Sequence, residues 1–236
     1  MTVVAAPVFA RLGPGCERRA QGQRRFEVDG FVVVVTPPGT SWLPNGIALG
    51  PGPTVVWDPV LPALHPGAAL ARRGREVLAA LGPFALVDGG AAAPPAAAVD
   101  ELLDALRTGH EAAWLTAAAG LLGRGAGLTP EGDDLLAGAC AVAAAAGASP
   151  ALPPDLRERT TALSATLLEL AAAGAAPRPL HTVLDLSSGD WRGALTDLVG
   201  LGASSGRAIA LGAGAAAALI GARGRVRPRT ARHYVA

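Results

Sequence analysis

Between Phe26 and Val35 the chain places Phe31 before four consecutive valines, and Thr36-Pro37-Pro38-Gly39 follows as a stop. Consecutive β-branched side chains crowd a helix and suit a pleated strand. Trp42–Leu49 and Thr54–Trp57 read as further strands, and Pro and Gly punctuate them at the short intervals that tight loops require. No 3.6-residue apolar stripe appears before residue 70 or so. Ala68–Leu81 then reads as a short helix and Phe84–Val87 as a closing strand.

The period changes after Gly89-Gly90-Ala91-Ala92-Ala93-Pro94-Pro95, which reads as a linker. Val99, Leu103, Leu106, His110, Trp114, Ala117 and Leu121 fall on one helical stripe. Further helices are expected over 130–147, 154–173, 180–186, 190–200 and 205–221. The expected fold class is α+β. A β-rich N-terminal domain spans residues 1–90, and an Ala/Gly-rich helical domain spans 96–236.

Composition narrows the chemistry. Half the residues are hydrophobic but only 4% are aromatic, so the core must be built from Ala, Leu and Val. With 17% charged residues and a net charge of +1, disorder throughout is excluded and a nucleic-acid partner is disfavoured. All 20 basic residues are Arg. Schiff-base, P-loop and general-base lysines are thereby excluded. Cys16 and Cys140 cannot make a Cys-rich zinc site. The start of the chain lacks the pattern of a signal peptide, and the apolar run Leu135–Ala148 is short for a membrane span. A cytoplasmic protein with unpaired thiols is expected.

The segment Gly123–Asp134 carries the most information. Gly123, Gly125 and Gly127 allow positive φ, Thr129 suits an N-cap and Pro130 the first helical position. Its exposed N–H groups could hold an anion or a polarised carbonyl. Neither a dinucleotide fingerprint nor a P-loop is present. Glu131, Asp133 and Asp134 complement the helix dipole and offset the positive potential that draws a bare phosphate. Three ligands fit: a phosphate bridged by Mg²⁺, a group with N–H or O–H donors, or a mixed ligand with an Arg nearby. The sequence requires no cofactor and leaves Mg²⁺ open. Adjacent carboxylates on a helix diverge by about 100°. One of the two therefore faces the ligand while the other anchors the loop.

An internal echo extends the argument. Gly132-Asp133-Asp134-Leu135-Leu136-Ala137-Gly138 aligns with Gly206-Arg207-Ala208-Ile209-Ala210-Leu211-Gly212, and each segment follows a loop of small residues. Two helices that cross closely at Gly138 and Gly212, with both N-termini near one cavity, are expected. On this reading Gly127, Thr129, Gly132, Asp133 and Asp134 line the cleft, and Asn45 and Ser204–Arg207 form its other walls. Arg124 and Arg207 are candidate contacts for a carboxylate or phosphate. His110 reads as a core or cleft-wall residue, His181 as a capping or surface residue, and Cys16 as a loop residue open to solvent. The Arg-rich tail, Arg223–Arg232, reads as a solvated terminus.

Residues 125–138, Gly-Ala-Gly-Leu-Thr-Pro-Glu-Gly-Asp-Asp-Leu-Leu-Ala-Gly, resemble the signature of the AllH-like family. Leu43-Pro44-Asn45-Gly46-Ile47, Gly189-Asp190-Trp191 and Gly202-Ala203-Ser204-Ser205-Gly206 are similar to its other motifs. The chain departs from the family at Ala203 and Ala208, where relatives tend to carry His and Asp. The resemblance implies a subunit, or divergent relative, of a ureide carbamoyltransferase. The reaction is then carbamoyl transfer between phosphate and a small amide such as oxamate, with partner subunits. Asp133 and Asp134 would be the catalytic residues. Asn45, Arg124, Gly125, Gly127, Thr129, Gly132, Ser204, Ser205, Gly206 and Arg207 would bind the amide or carbamoyl phosphate ligand. Two other readings stand beside it: a non-catalytic ligand-binding or assembly subunit, and a metal-dependent enzyme acting on a phosphate ligand.

Overall fold

The computed structural model describes residues 1–40, 42–82 and 94–223. The expected strand at Phe84–Val87, most of the linker and the Arg-rich tail past Arg223 lie outside these residues. The fold is α+β, with a five-stranded N-terminal sheet followed by a mainly helical region.

The strands are β1 (Thr2–Ala5), β2 (Arg25–Val28), β3 (Phe31–Thr36), β4 (Gly46–Ala48) and β5 (Thr54–Trp57), in the order β2-β3-β4-β1-β5. The single strand expected over Phe26–Val35 is a hairpin. Asp29 and Gly30 both adopt positive φ, at 49° and 77°, and Val28 pairs with Phe31 across the turn. Asp-Gly at the two central positions matches the primed turn whose twist suits a hairpin. The strand expected over Trp42–Leu49 is confined to β4. Strand β1 and the short helices α1 (Ala6–Leu12) and α2 (Cys16–Ala20) were not expected. Their apolar stretches are too short to show a period. Cys16 is buried in α2 instead of exposed in a loop.

Helix α3 (Ala68–Leu81) has the expected bounds. The stripe from Val99 to Leu121 divides into α4 (Ala96–Thr108) and α5 (Glu111–Leu121). Gly109, at φ 76°, ends α4 in the left-handed conformation, so the two helices cannot share one continuous face. His110 sits exposed at the break. The helix expected over 154–173 likewise divides. Thr160 is extended between α7 (Leu156–Arg159) and α8 (Ala162–Ala172), and Thr161 caps α8 by accepting from the Ser164 N–H. The remaining helices are α6 (Glu131–Ala145), α9 (Arg178–Leu184), α10 (Trp191–Val199) and α11 (Ser205–Arg223).

Helix α11 is apolar all round, as a helix enclosed by others must be. By length and composition it could cross a membrane, but most of it is buried within the fold. It packs on α6 through Gly138 and Gly212 and on α3 through Gly74 and Gly221. A Cβ on Gly74 would lie 2.2 Å from the Ala218 nitrogen, and one on Gly221 would lie 2.4 Å from the Ala71 nitrogen. Buried Arg73 fastens α3 to α9, donating to the carbonyls of Val183 at 2.6 Å and Asp185 at 3.0 Å. These carbonyls lie at a helix C-terminus, where an Arg satisfies orphan acceptors and complements the dipole.

The sheet joins the helices through β3 and α8. The Val32 N–H donates to the Thr166 hydroxyl at 3.1 Å, and Leu170 and Ala175 bury themselves in the sheet's core. The segment after β5 continues the junction, with Leu61 N–H donating to Gly174 and Ala176 N–H to Pro59. His181, placed by sequence at a cap or surface, is half-buried and donates from Nε2 to the Pro59 carbonyl at 3.0 Å.

Both cysteines are buried and free. Burial pushes the Cys140 thiol up to about 12 and raises Cys16 as well. Only the thiolate is a strong nucleophile. The folded protein is therefore expected to resist a thiol-specific alkylating agent that labels both positions in denaturant. Rapid labelling of the folded chain, or a non-reduced mass two hydrogens below the dithiol form, would contradict this arrangement.

Candidate functional site

The echoed segments form a matched pair. A Cβ added to Gly138 would lie 2.1 Å from the Ile209 carbonyl oxygen, and one added to Gly212 would lie 1.9 Å from that of Leu135. Leu135 and Ile209 occupy equivalent positions in the echo, so the crossing of α6 and α11 is reciprocal. Nearly two turns earlier, Gly132 backs onto the Leu121 carbonyl and Gly206 onto that of Leu198, at 2.2 and 1.8 Å for the added Cβ. Each loop thus folds back onto the helix before it, which brings the N-termini of α6 and α11 side by side.

Thr129 does not cap α6. The helix begins at Glu131, and the Thr129 hydroxyl instead meets the Ser205 hydroxyl at 2.8 Å. Beneath this pair lies a cavity of about 230 Å³. Thr129, Asp134 and Ser205 line its floor. Asn45, held between β3 and β4, reaches it from the sheet. The Asn45 amide donates from Nδ2 to the Val32 carbonyl at 3.0 Å, which fixes the amide's orientation and turns Oδ1 the other way. Fully buried Asn45 Oδ1 and buried Asp134 Oδ2 have no hydrogen-bond partner.

The two adjacent aspartates divide as their helical spacing requires. Asp133 turns inward: Oδ1 accepts from the Gly123 N–H at 2.8 Å, and Oδ2 accepts from the Thr160 hydroxyl. It closes the loop onto α6. Asp134 faces the cavity, where its carboxyl interacts with the hydroxyls of Ser205 and Thr129. Burial pushes Asp134 up to about 7. The charges of Asp133 and Glu131 add to that rise, and the two hydroxyls oppose it. Burial also raises Asp133, against its hydrogen bonds from Thr160 and Gly123.

Of the residues expected to bind ligand, Asn45, Thr129, Asp134 and Ser205 converge on the cavity. The others lie outside its lining. Gly132 and Gly206 serve the helix contacts. Gly125, at φ 120°, lets the loop pass the Glu131 nitrogen, which an added Cβ would approach to 2.4 Å. Gly127 and Arg124 are exposed. The Ser204 carbonyl accepts from the Ala208 N–H in the first turn of α11. Arg207 reaches away from the cavity, donating to the Leu81 carbonyl at the end of α3 at 2.8 Å. The expected anion cradle is not formed by the loop amides that have internal acceptors. The N–H groups of Gly123, Arg124 and Gly132 serve Asp133, Leu121 and Arg124.

Sequence reading passed over Thr160, which orients Asp133, and the apolar walls from Val34, Leu163, Leu167 and Leu180. A single threonine in a break between helices and common leucines carry no local signal. Among the described residues no three His, Cys, Asp or Glu side chains gather as metal ligands.

A family model described as oxamate carbamoyltransferase subunit AllH matches residues 121–217. The match begins at the end of α5 and runs through α6 into α11, enclosing both glycine loops and Asp134. No curated protein and no solved structure matches the chain. Over residues 121–217, less than half of its length, the chain is similar to this family.

Proposed function

We propose that the chain is a ligand-binding subunit of a carbamoyltransferase-type assembly in the cytoplasm, and that the cavity between Asp134 and Asn45 is its amide site. The observation that carries this is the buried, unpartnered Asp134 Oδ2 facing the cavity. A buried acceptor without a donor costs about 1–3 kcal/mol, and a ligand N–H removes that cost. With its carboxyl poised near neutrality, Asp134 can accept an N–H bond or take a proton from a nitrogen in reaction. Asp133 is a positioning residue, because both of its oxygens are engaged in holding the loop.

The assembly's reaction on this reading is carbamoyl transfer between phosphate and a small amide. The cavity supports only the amide half of that chemistry. Among the described residues no Arg or His lines the cavity, so none of them offers a cation to a phosphate or carboxylate there. This favours a chain that binds while a partner subunit supplies the anion site. It also weakens the metal-dependent reading, because Asp133 and Asp134 do not converge.

A thermal-shift screen of the full chain with oxamate, carbamoyl phosphate, and small amides and ureides tests the proposal. An amide that raises the melting temperature should lose its effect in Asp134→Asn. In Asp133→Asn, measured relative to that variant's own melting temperature, the effect should persist at reduced size. A shift that survives Asp134→Asn in full would move the ligand away from this cavity.

A further inference from the structure

We propose that the cavity takes an uncharged primary carboxamide or terminal ureido group on a short branched apolar body, and rejects the carboxylate of the same shape. This names the ligand class and rests on the reading of the cavity as the ligand site. The first observation is the pair of orphan acceptors, Asn45 Oδ1 from the β3–β4 connection and Asp134 Oδ2 from α6, both on residues that line the cavity. An –NH₂ group presents two donors. The second observation is the rest of the lining, which is dominated by apolar side chains including Leu43, Leu163, Leu167 and Ile209, with no cationic group among the residues that form it.

An anion placed here would lose its hydration without gaining a counter-ion, and it would face a second carboxyl. An ammonium group carries three donors for two orphan acceptors and would lose its hydration on entering. The two hydroxyl protons of the Thr129–Ser205 pair serve their mutual hydrogen bond and the Asp134 carboxyl. The –NH₂ of a carboxamide or ureido group supplies two donors without a charge. A cavity of about 150 Å³ holds benzene. One of about 230 Å³ therefore fits a ligand of roughly six to nine heavy atoms.

Calorimetric titration at pH 7.5 with isovaleramide, isobutylurea, isovalerate, isoamylamine and oxamate separates the alternatives. Isovaleramide and isobutylurea are expected to bind at least about tenfold more tightly than isovalerate, isoamylamine or oxamate. Asp134→Leu, which keeps the γ-branched shape and removes the acceptor, should weaken isovaleramide at least about tenfold while circular dichroism stays unchanged. Asp134→Asn serves as the second variant if Asp134→Leu does not fold. If isovalerate, isoamylamine or oxamate binds as tightly as isovaleramide and loses binding in Asp134→Leu, the ligand class is wrong while the site stands. Isovaleramide binding that both variants leave intact would overturn the site as well, and no binding by either neutral ligand would overturn the proposal.

Discussion

Gly138→Leu should destabilise the protein by about 3 kcal/mol or more, at the upper end of the range for overpacked cores. The cause is backbone and not side-chain crowding. Even a Cβ at this position would lie 2.1 Å from the Ile209 carbonyl oxygen and 2.9 Å from the Ala213 nitrogen. A flexible neighbour could swing aside, but a carbonyl inside a helix cannot. The helices must separate, and every apolar contact along α6 and α11 loosens with them. Gly212→Leu meets the Leu135 carbonyl in the mirrored position and should cost a similar amount. Gly127→Ala provides the contrast. Its φ of 95° strains any side chain, but nothing lies within 4 Å of the new Cβ, so the cost should stay near 1–2 kcal/mol. Urea unfolding of the three variants checks this. A Gly138→Leu midpoint equal to the parent's would remove the close crossing.

Much of this crossing is legible in the sequence. The repeat of Gly132…Gly138 as Gly206…Gly212 marks two helices of one design, and helix-interior glycine implies a neighbour that needs the space. The orientation of the two aspartates follows in outline from helical geometry alone. Other features are not local. That Asp134 and not Asp133 meets the cavity depends on Thr160 and the bend of the loop. That Arg207 leaves the site depends on where α3 ends. Asn45 is legible as a turn residue, but its buried orphan oxygen arises only when the sheet closes against α8 and α9. The hairpin at Asp29-Gly30 is a different case. Its signal is present, and four consecutive valines mask it by making one long strand look sufficient.

Asp134→Asn should remove the pH dependence that the carboxyl imposes on stability. In the folded chain this carboxyl is raised from its ordinary 3.8 to about 7. Below about pH 4 both folded and unfolded states hold the proton, and the group contributes nothing. As the pH rises from there to about 7, the unfolded chain releases the proton and the folded chain keeps it, so stability falls. Above about 7 the full penalty for the buried charge is present. At about 1.4 kcal/mol per pKa unit it is about 4 kcal/mol at most. The asparagine variant carries no such penalty. Its midpoint in urea, relative to the parent's, should rise steadily between pH 4 and pH 8, with the largest gain above pH 7. A gain that is constant across this range would mean that Asp134 is not held in a buried, charge-opposing site.

The most direct test is a carbon-13 NMR titration of the Asp134 carboxyl, assigned by its loss in Asp134→Asn, with and without saturating isovaleramide. The account predicts a midpoint near pH 7 in the free chain and a clear downward displacement when the amide donates to Oδ2. A midpoint in the ordinary carboxylate range that isovaleramide does not move would contradict it.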